Sequence, residues 1–154
     1  MRGRFFLFGA IFFVYALSPE RLWKENEPLN FSSQKARADD GRIELLGATH
    51  LWQTELDIKA YNIILYQNKS SELTKVTALG NVVGKRKEQK SGEWVIFSAN
   101  KAFFVKTTSK IRLQGGVRVV KAQSVVRGEK MLYDVRAETL HATSTRGQLR
   151  WVKK

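Results

Sequence analysis

From Arg42 onward the chain is written in short alternating stretches. In "RIELLGATHL", Ile43, Leu45, Gly47, Thr49 and Leu51 share one parity. In "KVTALGNVVG" that parity takes Val76, Ala78, Gly80, Val82 and Gly84, and in "KIRLQGGVRV" it takes Ile111, Leu113, Gly115, Val117 and Val119. Alternation with period two marks a strand with one buried face. A second stretch follows each copy and carries a small residue at its centre: Ala60 in "DIKAYNIILY", Ala99 in "IFSANKAFFV", Gly128 in "VVRGEKMLYD". Apolar residues stand two before it (Ile58, Phe97, Val126), three after it (Ile63, Ala102, Met131) and five after it (Leu65, Phe104, Tyr133). The step from even to odd offset predicts that the inward face changes parity at the small residue, as a bulge or bend would make it.

The unit is therefore a pair of strands, and it occurs three times. One unit cannot bury its apolar face alone. Stacked units can, by folding into two sheets that enclose those faces. No proline follows Pro28, helix signals are poor, and turn signals fall at 38–41, 67–72, 85–92 and 107–110. The pattern predicts a nearly all-β domain. Gly47, Gly80 and Gly115 remove bulk at one level of every unit. They serve either a kink or close sheet contact, or they leave room for a ligand chain.

The N-terminus has a different pattern. Arg2 and Arg4 precede an apolar run from Phe5 to Leu17, short for a membrane span and suited to a signal peptide cleaved after Ala16. The competing reading is an uncleaved anchor, with Ser18 to Trp23 reaching the interface and Trp23 at headgroup level. Both readings export the rest. Residues 1–23 are thus a signal peptide or anchor, 24–37 ("KENEPLNFSSQKAR") a linker, and 38–154 the β domain.

Composition narrows the partner. A length of 154 residues suggests one domain. A net charge of +13 and a pI near 10.2 point to an anionic partner: nucleic acid, an anionic membrane surface or a phosphorylated glycolipid. The absence of cysteine excludes disulfides, thiolate metal sites and cysteine nucleophiles. His50 and His141 have no further ligands at a recognisable metal or acid–base spacing. Asp39-Asp40 reads as a turn signal, and neither a phosphate-binding glycine loop nor a nucleophile elbow is present. We expect no enzymatic activity, no metal and no cofactor.

"VTALGNVVGK", "IRLQGGVRVV" and "VVRGEKMLYD" resemble the OstA-like domain of lipopolysaccharide-transport proteins, found in the periplasmic bridge protein LptA, the membrane-anchored LptC and the N-terminal part of the outer-membrane LptD. The resemblance spans about Ala38 to Leu140. Two departures stand out: Gly47-Ala48-Thr49 lacks the usual valine after the glycine, and the basic loop "KRKEQKSG" lengthens the second copy. The resemblance implies a twisted open β-jelly roll, a two-sheet sandwich whose slot holds lipid A acyl chains. It also implies stacking with other OstA-like domains, or with further copies end to end, through edge strands.

On this reading the slot candidates are the inward residues Val76, Ala78, Val95, Phe97, Phe104, Ile111, Leu113, Val117, Val119 and Val126. Without the resemblance, the same residues would read as an ordinary dry core. Lys85, Arg86 and Lys87 are candidates for headgroup contact, against the alternative of a solvated hairpin tip. Arg112 and Arg118 take the outward parity and are expected to face water. The expected role is a periplasmic lipopolysaccharide carrier and bridge like LptA. A retained segment at residues 5–23 would make the chain an inner-membrane component like LptC. Two other classes remain. A nucleic-acid-binding β domain would stack bases on Trp94, Phe97 and Phe104, but Phe97 shares its face with Val95 and Ala99, and the export signal argues against it. A β scaffold that assembles through edge strands without binding lipid predicts a filled interior.

Overall fold

The computed structural model describes residues 22–150. Of the expected signal peptide or anchor at 1–23, residues 1–21 lie outside them, and Leu22 and Trp23 lie within. Among the described residues ten strands follow one another: β1 (Asn30–Ser32), β2 (Lys35–Asp39), β3 (Arg42–Gln53), β4 (Leu56–Gln67), β5 (Leu73–Lys87), β6 (Trp94–Val105), β7 (Lys110–Lys121), β8 (Ser124–Asp134), β9 (Thr139–Thr143) and β10 (Arg146–Gln148). They form one antiparallel sheet in which β3 to β8 pair in sequence order. β1 and β2 share the free side of β3, while β9 and β10 share that of β8. The two edges do not pair with each other, so the sheet is open. Residues 24–37, read as linker, hold β1 and the start of β2.

The expected pair of sheets is replaced by this single sheet, creased across its middle. Every pairing from β3 to β8 shifts register at one level: between Leu46 and Thr49, Lys59 and Asn62, Leu79 and Val82, Ser98 and Lys101, and Gln114 and Val117. The glycine strands carry the extra residue. Gly80 and Asn81, with φ of 83° and 46°, stand where β6 offers only Asn100. Gly47-Ala48 and Gly115-Gly116 repeat the left-handed pair. A bulge of this kind bends a strand without ending its pairing, so hydrogen bonding continues through the crease. A Cβ on Gly80 would stand 3.0 Å from Cβ of Tyr61, and one on Gly115 2.7 Å from Nδ2 of Asn100. The repeat glycines therefore serve the kink, with a neighbouring side chain crossing over each.

The partner strands change face at this level. In β4 the buried residues run Leu56, Ile58, Ala60 and then Ile63, Leu65; in β6 they run Val95, Phe97, Ala99 and then Ala102, Phe104. The parity change is where the offsets place it. The crease divides the sheet into two layers. The first holds 42–46, 62–67, 73–79, 101–105, 110–114 and 130–134. The second holds 49–53, 56–59, 82–87, 94–98, 117–121 and 124–127. Phe97 of the second layer meets Phe104 of the first with ring centroids 6.0 Å apart. A left-handed non-glycine residue such as Ala48 costs about 1–2 kcal/mol. Each fully buried Leu, Ile or Phe side chain contributes about 1.5–3 kcal/mol. The bend is thus offset many times over by what it encloses.

Candidate functional site

The interior between the layers gathers the inward-facing residues of six strands. Nine of the ten slot candidates are buried: Val76, Ala78, Val95, Phe97, Phe104, Ile111, Leu113, Val117 and Val119. Val126, near the β8 edge, is half-buried and packs against them. Among the described residues, the side chains between the layers are packed against one another. Beside Val95, Phe97, Ile111, Leu113 and Val119 there is an apolar void of about 10 Å³, room for about one water.

A glycine does make space in this interior, but it is not one of the three repeat glycines. Gly84 stands directly opposite Phe97, and a Cβ there would lie 2.1 Å from Cζ of the ring. The Phe97 ring lies over the bare Gly84 backbone. Alternation already placed Gly84 on the inward face.

The basic loop divides by parity. Val82, Gly84, Arg86 and Glu88 continue the inward phase, so Arg86 is only 4% exposed and lines the void with Tyr133. Lys85 and Lys87 point away from the interior, and Lys85 Nζ lies 5.1 Å above the Trp94 ring. The three candidates for headgroup contact are thus split between two faces. Neither Arg86 nor Glu88 belongs to a solvated tip.

Glu88 is 1% exposed and has a full set of partners. Tyr133 Oη, from the first layer, donates to its Oε2; Lys121 Nζ pairs with its Oε1, and Ser91 Oγ donates to Oε1 at 3.2 Å. Burial alone would push the Glu88 carboxyl up. The hydrogen bonds from Lys121 and Tyr133 and the Lys121 charge outweigh burial and hold it below 4.5. Burial and then the hydrogen bond to Glu88 push the Tyr133 phenol far up, and Glu88 raises Lys121. The cluster closes one stretch of the interior's mouth, where the strand ends of the two layers meet. Lys90 N–H donates to Glu138 Oε1 at 3.5 Å beside it.

The N-terminal segment closes another stretch. Leu22 and Trp23 are 4% and 7% exposed, beside Lys106, Ser109 and Arg136 at the first layer's strand ends. Trp23, expected at headgroup level in an anchor, belongs instead to the core of this domain. The segment then crosses to the second layer. Lys24 N–H donates to Gln53 Oε1 at 2.8 Å, and Gln53 Nε2 donates back to Lys24 O at 2.7 Å and to Glu27 O at 3.1 Å. Glu25 pairs with Lys106, and Thr54 N–H donates to the Glu27 carboxylate at 3.0 Å. Residues 22–27 form a strap from one layer to the other. Sequence patterning missed it because a polar stretch with Pro28 carries no period.

Arg112 is exposed on the first layer's outer face and Arg118 on the second's. His50 stacks on Trp52, with centroids 4.4 Å apart, and its Nε2 lies 2.9 Å from Asp57; His141 is on β9, opposite Leu132. The arrangement as a whole offers an apolar interior with polar closures, and a cationic exterior.

Comparison with known proteins agrees with this architecture. The crystal structure of LptH, the LptA-homologous periplasmic component of the lipopolysaccharide transport device of Pseudomonas aeruginosa, superposes with a TM-score of 0.74. The identity is 16%, over 80% of this chain and 96% of that one. No curated protein sequence matches the chain. Residues 31–139 match the family described as LptA/(LptD N-terminal domain) LPS transport protein. The chain therefore belongs to this family of LPS transport proteins, which are carriers rather than enzymes.

Proposed function

We propose that this chain is a periplasmic lipopolysaccharide carrier and bridge whose interlayer space receives lipid A acyl chains. The observation that carries the reading is the apolar interior itself, which runs from β3 to β8 within a sheet left open at both edges. Acyl chains gain about 25 cal/mol for each Å² removed from water. The interior residues Val76, Ala78, Val95, Phe97, Phe104, Ile111, Leu113, Val117, Val119 and Val126 supply such a surface. The edges would pair with other bridge domains or with further copies: β2 is exposed along its whole length, as is β10.

The filled interior requires an opening step. The strap at residues 22–27 and the Glu88–Tyr133 closure span the mouth, and lipid enters as the layers part there. Arg86 and Lys121 then become available to the phosphates at the mouth. Lys85 and Lys87, on the outside, serve the headgroup only where it extends past the rim.

One observation favours a second reading. A void of about 10 Å³ suits a β scaffold that assembles through its edges and binds no lipid. Photo-crosslinking in intact cells decides between them, with a photoreactive residue at Phe97 and a control at Arg112. Lipopolysaccharide attached at Phe97 and absent at Arg112 is the carrier's result. Folded, exported protein with lipid at neither position is the scaffold's. Retention of residues 5–23 would make the same carrier an inner-membrane component, read from the mass of the mature protein.

A further inference from the structure

The outer face of the second layer carries a row of arginines. Arg118 on β7 is directly opposite Arg127 on β8, and Arg127 is directly opposite Arg146 on β10. Like charges in register across strands destabilise a sheet, so folding does not account for the row. All three are exposed, and none has an ion-pair partner among the described residues. The carboxylates in this layer's strands do not answer them: Asp57 is engaged by His50 at 2.9 Å. Glu129 lies at the crease, beyond the layer's last paired position on β8.

Two residues further along the strands runs an apolar row. Ile96, Val120 and Val125 are mutually opposite on β6, β7 and β8. Ile96 is 42% exposed, and Val83 and Trp94 beside it are 49% and 38% exposed. Lys59 stands opposite Val83, and Lys85 lies over Trp94. The first layer's outer face is also cationic, with Lys101 and Arg112 lacking an ion-pair partner among the described residues and others of its charges engaged. Arg37 and Arg42 pair with Glu44, and Lys75 lies over the Tyr66 and Phe103 rings.

We propose that the outer face of the second layer docks on an anionic phospholipid bilayer, with Arg118, Arg127 and Arg146 on lipid phosphates and Trp94, Ile96 and Val83 at the headgroup–acyl boundary. The chemistry of the two rows selects this occupant. An arginine row alone would suit nucleic acid, but exposed aliphatic side chains gain nothing from a phosphate backbone, and single strands are held by stacked rings. A bilayer interface accepts anion contacts, a tryptophan and aliphatic groups side by side. The surface is separate from the interlayer space and does not depend on its occupant.

The test uses the full chain and vesicles of phosphatidylglycerol with phosphatidylcholine, free of lipopolysaccharide. Brominated acyl chains quench tryptophan on contact. The difference between wild type and Trp94→Phe reads this face locally, whatever the N-terminal segment does. We expect Trp94 to be quenched on anionic vesicles and not on pure phosphatidylcholine. Replacing Arg118, Arg127 and Arg146 together by Gln should weaken that contact about a hundredfold, since each cation near an anionic surface adds a roughly fivefold gain. Replacing Lys75, Lys101 and Arg112 by Gln removes equal charge from the other layer and should change it only a few-fold. The proposal is overturned by unquenched Trp94, by equal quenching on neutral vesicles, or by equal losses in the two triple variants. It is also overturned if single-stranded RNA displaces the protein from the vesicles at substoichiometric amounts.

Discussion

Tyr133 on the first layer donates its phenolic hydrogen bond to the buried carboxylate of Glu88, which extends from the second. The bond ties together the two lips of an otherwise apolar interior. Lys121 and Ser91 complete the carboxylate's shell from the second layer's side.

Removing the phenol tests this tie. Tyr133→Phe leaves the shape unchanged and takes one partner from a buried charge, which should lower stability by about 1–3 kcal/mol at neutral pH. The pH profile carries the sign. The Glu88 carboxyl is held below 4.5 when folded, so its contribution is complete above that value and is lost as the pH falls through the lowered one. The Tyr133 phenol is raised above 10.0, so its contribution is complete below that value and fades as the pH climbs past it. Wild-type melting temperature should fall at both ends. The Phe variant should show a shallower alkaline fall, with a residual slope from Lys121, which is also raised. Melting curves from pH 3 to 11 check this, and identical alkaline slopes would contradict it.

Gly84 and Phe97 form a matched pair inside. Gly84→Ala places a methyl 2.1 Å from Cζ of Phe97, and should cost about 1–3 kcal/mol as an overpacked core does. Phe97→Ala alone should cost about 3–5 kcal/mol. The informative variant is the double change Gly84→Ala with Phe97→Leu, in which the shorter side chain clears the methyl. A double-mutant cycle by denaturant unfolding should then show a favourable coupling of about 1 kcal/mol or more; strictly additive losses would mean that the ring moves freely off Gly84.

Much of this architecture was legible in the sequence because side-chain period reports which face is inward. Ile58, Ala60, Ile63 and Leu65 gave the parity change in β4, and the same offsets gave it in β6. The period is silent about whether backbone pairing continues through the change. Two stacked sheets and one creased sheet carry the same alternation, which is why the sandwich expectation erred on connectivity while the enclosed face was right. The burial of Arg86 and Glu88 was hidden for a different reason. Their even parity continues that of Val82 and Gly84, but charge and loop composition suggested a tip. Their burial depends on Tyr133, from a strand far along the chain. The strap was hidden because its contacts are backbone and Gln53 hydrogen bonds, which no pattern of apolar residues records.

The crease makes its own demand on residue type. Gly80 has φ of 83° and the Tyr61 Cβ 3.0 Å from where its own would be. Gly80→Ala should therefore cost about 1–2 kcal/mol for the left-handed backbone alone, with the contact in addition. Ala48 already occupies the left-handed region at φ 42°. Ala48→Gly relieves that strain and gives back some unfolded-state entropy, for a net change between zero and about 1 kcal/mol of added stability. Thermal unfolding of the two variants should move in opposite directions, or the second not at all. A stabilised Gly80→Ala would refute the role assigned to the bend.

The strap can be loosened without touching the interior. Gln53 is 7% exposed and its side-chain amide makes three hydrogen bonds to the backbone of Lys24 and Glu27. Gln53→Ala should leave those backbone groups without partners and weaken the strap by about 1–3 kcal/mol. Amide hydrogen exchange at Lys24 should then rise by about tenfold to a hundredfold, while amides of β5 to β7 keep their protection. If the strap gates the interior, the same substitution should increase lipopolysaccharide crosslinking at Phe97 in cells. Leu22 and Trp23 would leave the mouth more often, and the binding-competent state would be populated more. Faster exchange at Lys24 with unchanged crosslinking would make the strap a structural clasp, and lipid would have to enter past Glu88 and Tyr133. In that case Tyr133→Phe, not Gln53→Ala, would raise the crosslinking yield, so measuring both variants together locates the entrance.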